Sequence, residues 1–321
     1  MTEFGYTLMG EQSGPSQLVG DAVAAERAGF DFAVASDHYF PWLADQGHSP
    51  FVWSVLGAVA QATQRIPFMT YVTCPIIRYH PAVIAQAAAT VQLLSQGRFS
   101  LGLGAGENLN EHVVGGGWPG VDVRHRMLRE AIEVIYELWS GEYVTYDGEY
   151  FQLDSAKVWD LPDEQPPIGV AVSGAQSCEL AGELADAMIA VEPKAELGQM
   201  FDAAGGIGKP RVGQVAVCYD QDAGEAVHRA HEQFRWFGGG WRVNAELPGP
   251  QAFAAASQYV RPEDVAEQIP CGPDVKRHVD AVHQFVDAGF THVALVQVGA
   301  DHQQEFIAWA NQELLPALRT A

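Results

Sequence analysis

The sequence predicts an α/β fold, a (β/α)8 (TIM) barrel with insertions. Three observations predict it: short apolar runs spread from end to end, helix-spaced segments between them, and glycines that close helical segments just before the next run. The runs are FGYTLM (4–9), FDFAVAS (30–36), PFMTYVT (67–73), RFSLGLGA (98–105), PIGVAV (167–172), AMIAVE (187–192), VGQVAVCYD (212–220) and HVALVQV (292–298), eight in all.

Between the first two runs, SQLVGDAVAAERAG spaces Leu18, Ala22, Val23, Ala25 and Glu26 as on a helix and closes at Gly29. DVKRHVDAVHQFVDAG repeats the plan and closes at Gly289. A closed barrel is expected over a doubly wound sheet, because an open sheet of eight parallel strands leaves long edges. Two stretches break the repeat. Residues 141–166 alternate like a hairpin around Asp147 and Gly148 and end in prolines, which predicts a β insertion. Residues 236–262 are rich in Gly, Pro and aromatics and predict a loop or helical lid over the barrel mouth. The chain, 1–321, reads as one barrel domain carrying these two insertions.

Forty acidic against 18 basic side chains give a net charge of -22, which argues against counterion-releasing binding to nucleic acid or anionic membrane. The cysteines at 74, 178, 218 and 271 show no CxxC pairing, so neither a disulfide framework nor a zinc site is expected. The N-terminus lacks a basic n-region and an apolar h-region, and no run reaches the ~18 apolar residues of a membrane span. A cytoplasmic protein with a small-molecule substrate is expected.

Under the barrel reading, residues just past the strand ends converge on one mouth. Glu11 follows the first strand, Asp37 and His38 the second, and Cys74 the third. GAGENLNEH places Glu107, Asn108, Asn110 and Glu111 after the fourth strand, and SGAQS places Ser173, Gly174, Gln176 and Ser177 after the fifth. Each has a plainer reading. A lone His after a strand commonly satisfies a turn, GLGAGEN serves as a flexible βα loop, and Ser173 serves as an ordinary N-cap. Equally, SGAQS opens a helix whose first amides suit a phosphate. GxGxGE is not a dinucleotide fingerprint, and no HxH, HExxH or facial-triad spacing suggests a metal.

SDHYFPW, GHSPF (47–51), CPIIRYHPAVIAQAAATVQLLSQGR, GLGAGENLNEH and LWSGEYVTYDGEYFQL together resemble the luciferase-like flavin and deazaflavin oxidoreductases, within them the F420-dependent glucose-6-phosphate dehydrogenase group. DHxxPW and GxGEx(L)NE are the most specific of these motifs. The resemblance implies a (β/α)8 barrel and coenzyme F420 as cofactor, with FMN the lesser alternative. It implies that Asp37, Val72, Cys74, Ala105, Gly106, Asn110, Ser173, Gly174, Gln176 and Ser177 line the deazaflavin and its phosphate tail. It sets His38, Trp42 and Glu107 against the reacting ring as the catalytic residues, with Glu11 near the substrate. It also implies a non-proline cis peptide at Tyr71–Val72 and a homodimer.

The expected activity is hydride transfer between C5 of the deazaflavin and a small alcohol, sugar or carbonyl compound. His38 takes the hydroxyl proton, a desolvated Glu107 supplies one beside the ring, and Trp42 excludes water. Sugar-phosphate dehydrogenation and FMN-dependent monooxygenation are the alternatives. A sugar phosphate needs cations: Lys194 stands near the expected place, and although Arg261 is the only Lys or Arg between Val243 and Val275, it or Arg242 could supply a second substrate contact. A neutral substrate held by Trp42, Trp236 and Trp241 is therefore expected.

Overall fold

The computed structural model describes residues 2–320. In chain order its strands are β1 (Glu3–Leu8), β2 (Phe32–Ala35), β3 (Phe68–Thr70), β4 (Phe99–Leu103), β5 (Val144–Asp147), β6 (Gln152–Ala156), β7 (Ile168–Ala171), β8 (Ala187–Ala190), β9 (Arg211–Val217) and β10 (His292–Gln297). Its helices are α1 (Pro15–Ala28), α2 (Val52–Ala62), α3 (Pro81–Leu94), α4 (Asn108–Glu111), α5 (Val121–Leu138), α6 (Ala175–Leu184), α7 (Ala195–Phe201), α8 (Ala223–Phe234), α9 (Trp241–Asn244), α10 (Gly249–Ala256), α11 (Pro262–Gln268), α12 (Val275–Asp287), α13 (Gln303–Trp309) and α14 (Leu315–Thr320).

The barrel closes in the order β1, β10, β9, β8, β7, β4, β3, β2, each neighbouring pair parallel. Each of the eight apolar runs carries one of these strands. They are mostly apolar because both faces are covered. Phe32, Val34, Met69, Ile189, Val212 and Ala294 pack together as one buried cluster, while Phe4, Tyr6, Leu8, Phe99 and Leu101 pack with the helices. Gly29 follows α1 at φ 87° and donates to the carbonyls of Ala25 and Glu26, a left-handed ending that a residue without Cβ adopts freely.

The two irregular stretches are built differently. β5 and β6 form an antiparallel hairpin pairing Asp147 with Gln152, and its loop is tied to α5 where Glu130 accepts the amides of Tyr150 and Phe151. The second stretch is helical, a 3-10 turn (Arg235–Gly239) followed by α9 and α10. It docks on the loop after β4: Asn108 donates its amide to the Ala245 carbonyl at 3.0 Å, and Trp118 and Arg124 both donate to the Glu246 carboxylate. No described helix is long and apolar enough to cross a membrane.

Candidate active site

His38, in the loop after β2, lies between two carboxyl groups. Glu11, in the loop after β1, is 1% exposed; it accepts a hydrogen bond from Ser36 Oγ at 2.5 Å and places Oε1 3.0 Å from His38 Nδ1. That last contact is off the hydrogen-bond line, as resting active-site contacts often are. On the other side, His38 Nε2 stands 3.3 Å from Glu107 Oε2. An ionised Glu11 favours the tautomer protonated at Nδ1 and leaves Nε2 as the base.

Glu107 is the N-cap residue of α4 and takes its orientation from that turn. Asn110 Nδ2 donates to its Oε2 at 3.0 Å, while Asn110 Oδ1 accepts the amides of Tyr39 and Phe40. Burial raises the Glu107 carboxyl above its ordinary value; His38 and Arg78 oppose the shift and Glu11 adds to it.

Trp42 forms the wall beside the imidazole, with ring centroids 4.9 Å apart. Trp236 of the second insertion stacks on Trp42 at 4.0 Å and 7°, and Phe253 of α10 meets it edge-on at 5.1 Å. Such pairs contribute ~1 kcal/mol each beyond the area they bury. Gln46 fixes the backbone here: its Oε1 accepts the amides of Trp42 and Leu43, and its Nε2 donates to the Gln233 carbonyl.

Beneath His38, Asp37 Oδ2 accepts from Thr73 at 2.7 Å and Oδ1 from Arg78 and Tyr79 at 3.0 and 3.1 Å. Cys74 is buried against the turn after β4, where a Cβ on Gly106 would come within 2.5 Å of its sulfur. Ala105 is packed in the same turn, and Val72 lies against Gly104. The Tyr71–Val72 peptide is cis, where the resemblance places it.

At the N-terminus of α6, Ser177 Oγ accepts the amides of Ser173 and Gly174 and donates to the Gly174 carbonyl. Gln176 Oε1 lies 3.3 Å from His125 Nδ1. A Cβ at Gly174 would point into open space and Ser173 is exposed, so an approaching phosphate would meet the Ser173 hydroxyl and the remaining amides of the first turn. These neutral donors fit the phosphate-bearing tail of a deazaflavin cofactor.

The structure brings His38, Glu107, Trp42, Glu11 and Asn110 together, with Asp37 and Cys74 behind them. It gives three of the sequence-predicted residues particular surroundings. Glu11 is held between Ser36 and His38. Arg261 is spent on the cap of α11, where its guanidinium forks onto Asp264. Trp241 begins α9 and is not part of the stack on Trp42. Lys194 is an exposed residue paired with Glu192 at 2.9 Å. Sequence reasoning did not single out Ser36, Arg78 or Phe253. Arg78 alone had a visible signal, as a cation inside the otherwise apolar CPIIRYHPAVI.

The luciferase-like monooxygenase family signature matches residues 1–292. The chain is 36% identical to an F420-dependent glucose-6-phosphate dehydrogenase of Nakamurella multipartita, over 98% of this chain and 96% of that one. It is 38% identical to the F420-dependent hydroxymycolic acid dehydrogenase of Mycobacterium tuberculosis, over 98% and 88%. Among solved structures, an F420-dependent secondary alcohol dehydrogenase in complex with an F420-acetone adduct superposes with a TM-score of 0.90, at 30% identity and 99% coverage of both chains.

Proposed function

The chain belongs to the luciferase-like monooxygenase family, and from that premise we propose how it works as an F420-dependent oxidoreductase: it moves a hydride between a small alcohol, sugar or carbonyl compound and the cofactor. The deazaflavin, when bound, supplies the hydride acceptor or donor at C5. Ser173, Gly174, Gln176 and Ser177 would hold its phosphate tail, and Val72, Cys74, Ala105 and Gly106 would line its ring.

The observation that carries this reading is His38 set between Glu11 and Glu107 against Trp42. His38 Nε2 takes the proton of the substrate hydroxyl as the alcohol is oxidised. Glu11 holds the imidazole in that tautomer. Glu107, whose carboxyl burial raises above its ordinary value, is the second acid–base group in the same pocket. Trp42, under the lid, excludes water and positions the substrate.

The aromatic group of Trp42, Trp236 and Phe253, with Lys194 and Arg261 already paired, supports a neutral substrate over a sugar phosphate. Four free cysteines support a cytoplasmic location. The test is anaerobic F420 reduction with a panel of neutral alcohols, sugars and sugar phosphates. Alcohol-dependent reduction that is lost in His38→Ala supports the reading; no reduction with any of them sinks it.

A further inference from the structure

We propose that Arg78 is the positioning residue of the acid–base pair, tying the backbone that carries His38 to the helical turn that carries Glu107. The proposal rests on the roles assigned above to His38 and Glu107.

The geometry is specific on both sides. Arg78 Nη2 donates to the main-chain carbonyl of Asp37 at 2.7 Å and to Asp37 Oδ1 at 3.0 Å. It therefore fixes the peptide group that leads into His38, whose own carbonyl accepts from Ser49 Oγ at 2.8 Å. The guanidinium lies over the Tyr79 ring at 4.4 Å, and the Tyr79 hydroxyl donates to the same Asp37 carboxylate. On the other side, the Arg78 amide donates to Glu111 Oε2 at 2.7 Å. Glu111 and Asn110 both donate their amides to the Glu107 carbonyl. The loops after β2, β3 and β4 thus meet at one residue.

The side chains of Arg78, Asp37 and Glu111 are 7%, 1% and 1% exposed, so the cation is set among two buried carboxyl groups. Arg78 Nε and Glu111 Oε1 stand 3.5 Å apart, and neither has a hydrogen-bond partner among the described residues. Buried polar atoms are seldom left so, and the two face each other across the gap between the loops after β3 and β4. Both Asp37 contacts come from Nη2, while the same guanidinium plane turns Nε toward Glu111 and lies over Tyr79; a lysine keeps the charge but not that plane.

The groups facing Glu107 are His38, Glu11, Arg78 and Asn110, with Asp37, Glu111, Tyr79 and Cys74 around Arg78. Among them Arg78 is the fixed cation that favours the Glu107 carboxylate. Removing it moves Glu107 titration to higher pH.

The experiment compares Arg78→Met and Arg78→Lys with the wild type in three readouts: F420 affinity by fluorescence, kcat and KM for alcohol oxidation, and the pH profile of kcat. Both variants are expected to lose about 10²-fold in kcat, the effect of a misplacement of about 1 Å. F420 affinity and KM are expected to stay within about threefold. The high-pH limb of kcat should move upward in Arg78→Met and stay in place in Arg78→Lys. Wild-type kcat in either folded variant overturns the proposal, as does a loss confined to F420 affinity or KM. If Arg78→Met does not fold, the kcat of Arg78→Lys decides alone. Should the wild type itself neither bind nor reduce F420, the reading of the function fails first, and the two failures are distinct.

Discussion

His38 Nε2 and Glu107 Oε2 face each other at 3.3 Å, and Asn110 Nδ2 donates to the same Glu107 oxygen. Replacing either member of the pair while the cofactor remains bound isolates its role. His38→Ala and Glu107→Gln should each lower kcat by about 10²-fold, the usual loss for a general acid or base. Near-wild-type rates in both would remove the pair from the mechanism. Because burial raises the Glu107 carboxyl, the alcohol-oxidising rate should fall as pH rises through that raised value and the proton is lost. Glu107→Gln should flatten this limb, and a limb unchanged in that variant assigns it to another group.

Glu11 touches His38 on the nitrogen remote from Glu107. Glu11→Gln keeps the shape but loses the charge that selects the tautomer, so kcat should fall about tenfold with F420 affinity unchanged. A variant impaired only in KM would return Glu11 to the substrate-binding role that the sequence suggests.

Much of the fold and of the site is legible in the amino-acid sequence alone. The eight strands stand out because they are buried on both faces and read as short, mostly apolar runs. His38, Glu107 and Trp42 stand out because strand ends gather at one mouth. The remainder is non-local. Nothing in the run around Arg78 says that its guanidinium reaches Asp37, 41 positions away. Likewise, Trp236 and Trp241 look equivalent in WFGGGW, and only the docking of α10 turns the first onto Trp42 and leaves the second in α9. Arg261 looks available because its cap partner Asp264 lies three residues on, a local pairing that a count of basic residues ignores.

The paired state of Lys194 and Arg261 bears on substrate charge. Glucose 6-phosphate should be a poor substrate, and Lys194→Ala should leave the oxidation of neutral alcohols within about twofold, since an exposed ion pair contributes ~0–1 kcal/mol. Trp236→Ala should raise KM for the same alcohols by about tenfold or more, in line with loss of a buried aromatic wall. Efficient turnover of a sugar phosphate that disappears in Lys194→Ala would show a phosphate site after all.

Away from the mouth, burial raises the Asp21 carboxyl of α1 from 3.8 to about 6, against a hydrogen bond from Gln304 that lowers it. A carboxyl raised on folding binds its proton more tightly in the native state. Its stabilising contribution is therefore complete below about pH 4 and is lost as pH rises through about 6. Asp21→Asn should match the wild type in unfolding free energy near the acid end and exceed it near pH 7, by about 2 kcal/mol after allowance for screening, with Tm following in the same direction. A Tm difference that does not change across this range would show that Asp21 titrates normally.

Equilibrium titration of the purified protein with F420 and, separately, with FMN, followed by fluorescence, tests the central claim most directly. The neutral donors at the start of α6 and the His38–Glu107 pair beside Trp42 predict saturable F420 binding at least about tenfold tighter than FMN, a difference of about 1.4 kcal/mol. FMN binding as tight as F420 binding, or tighter, would contradict the assignment and favour a flavin monooxygenase.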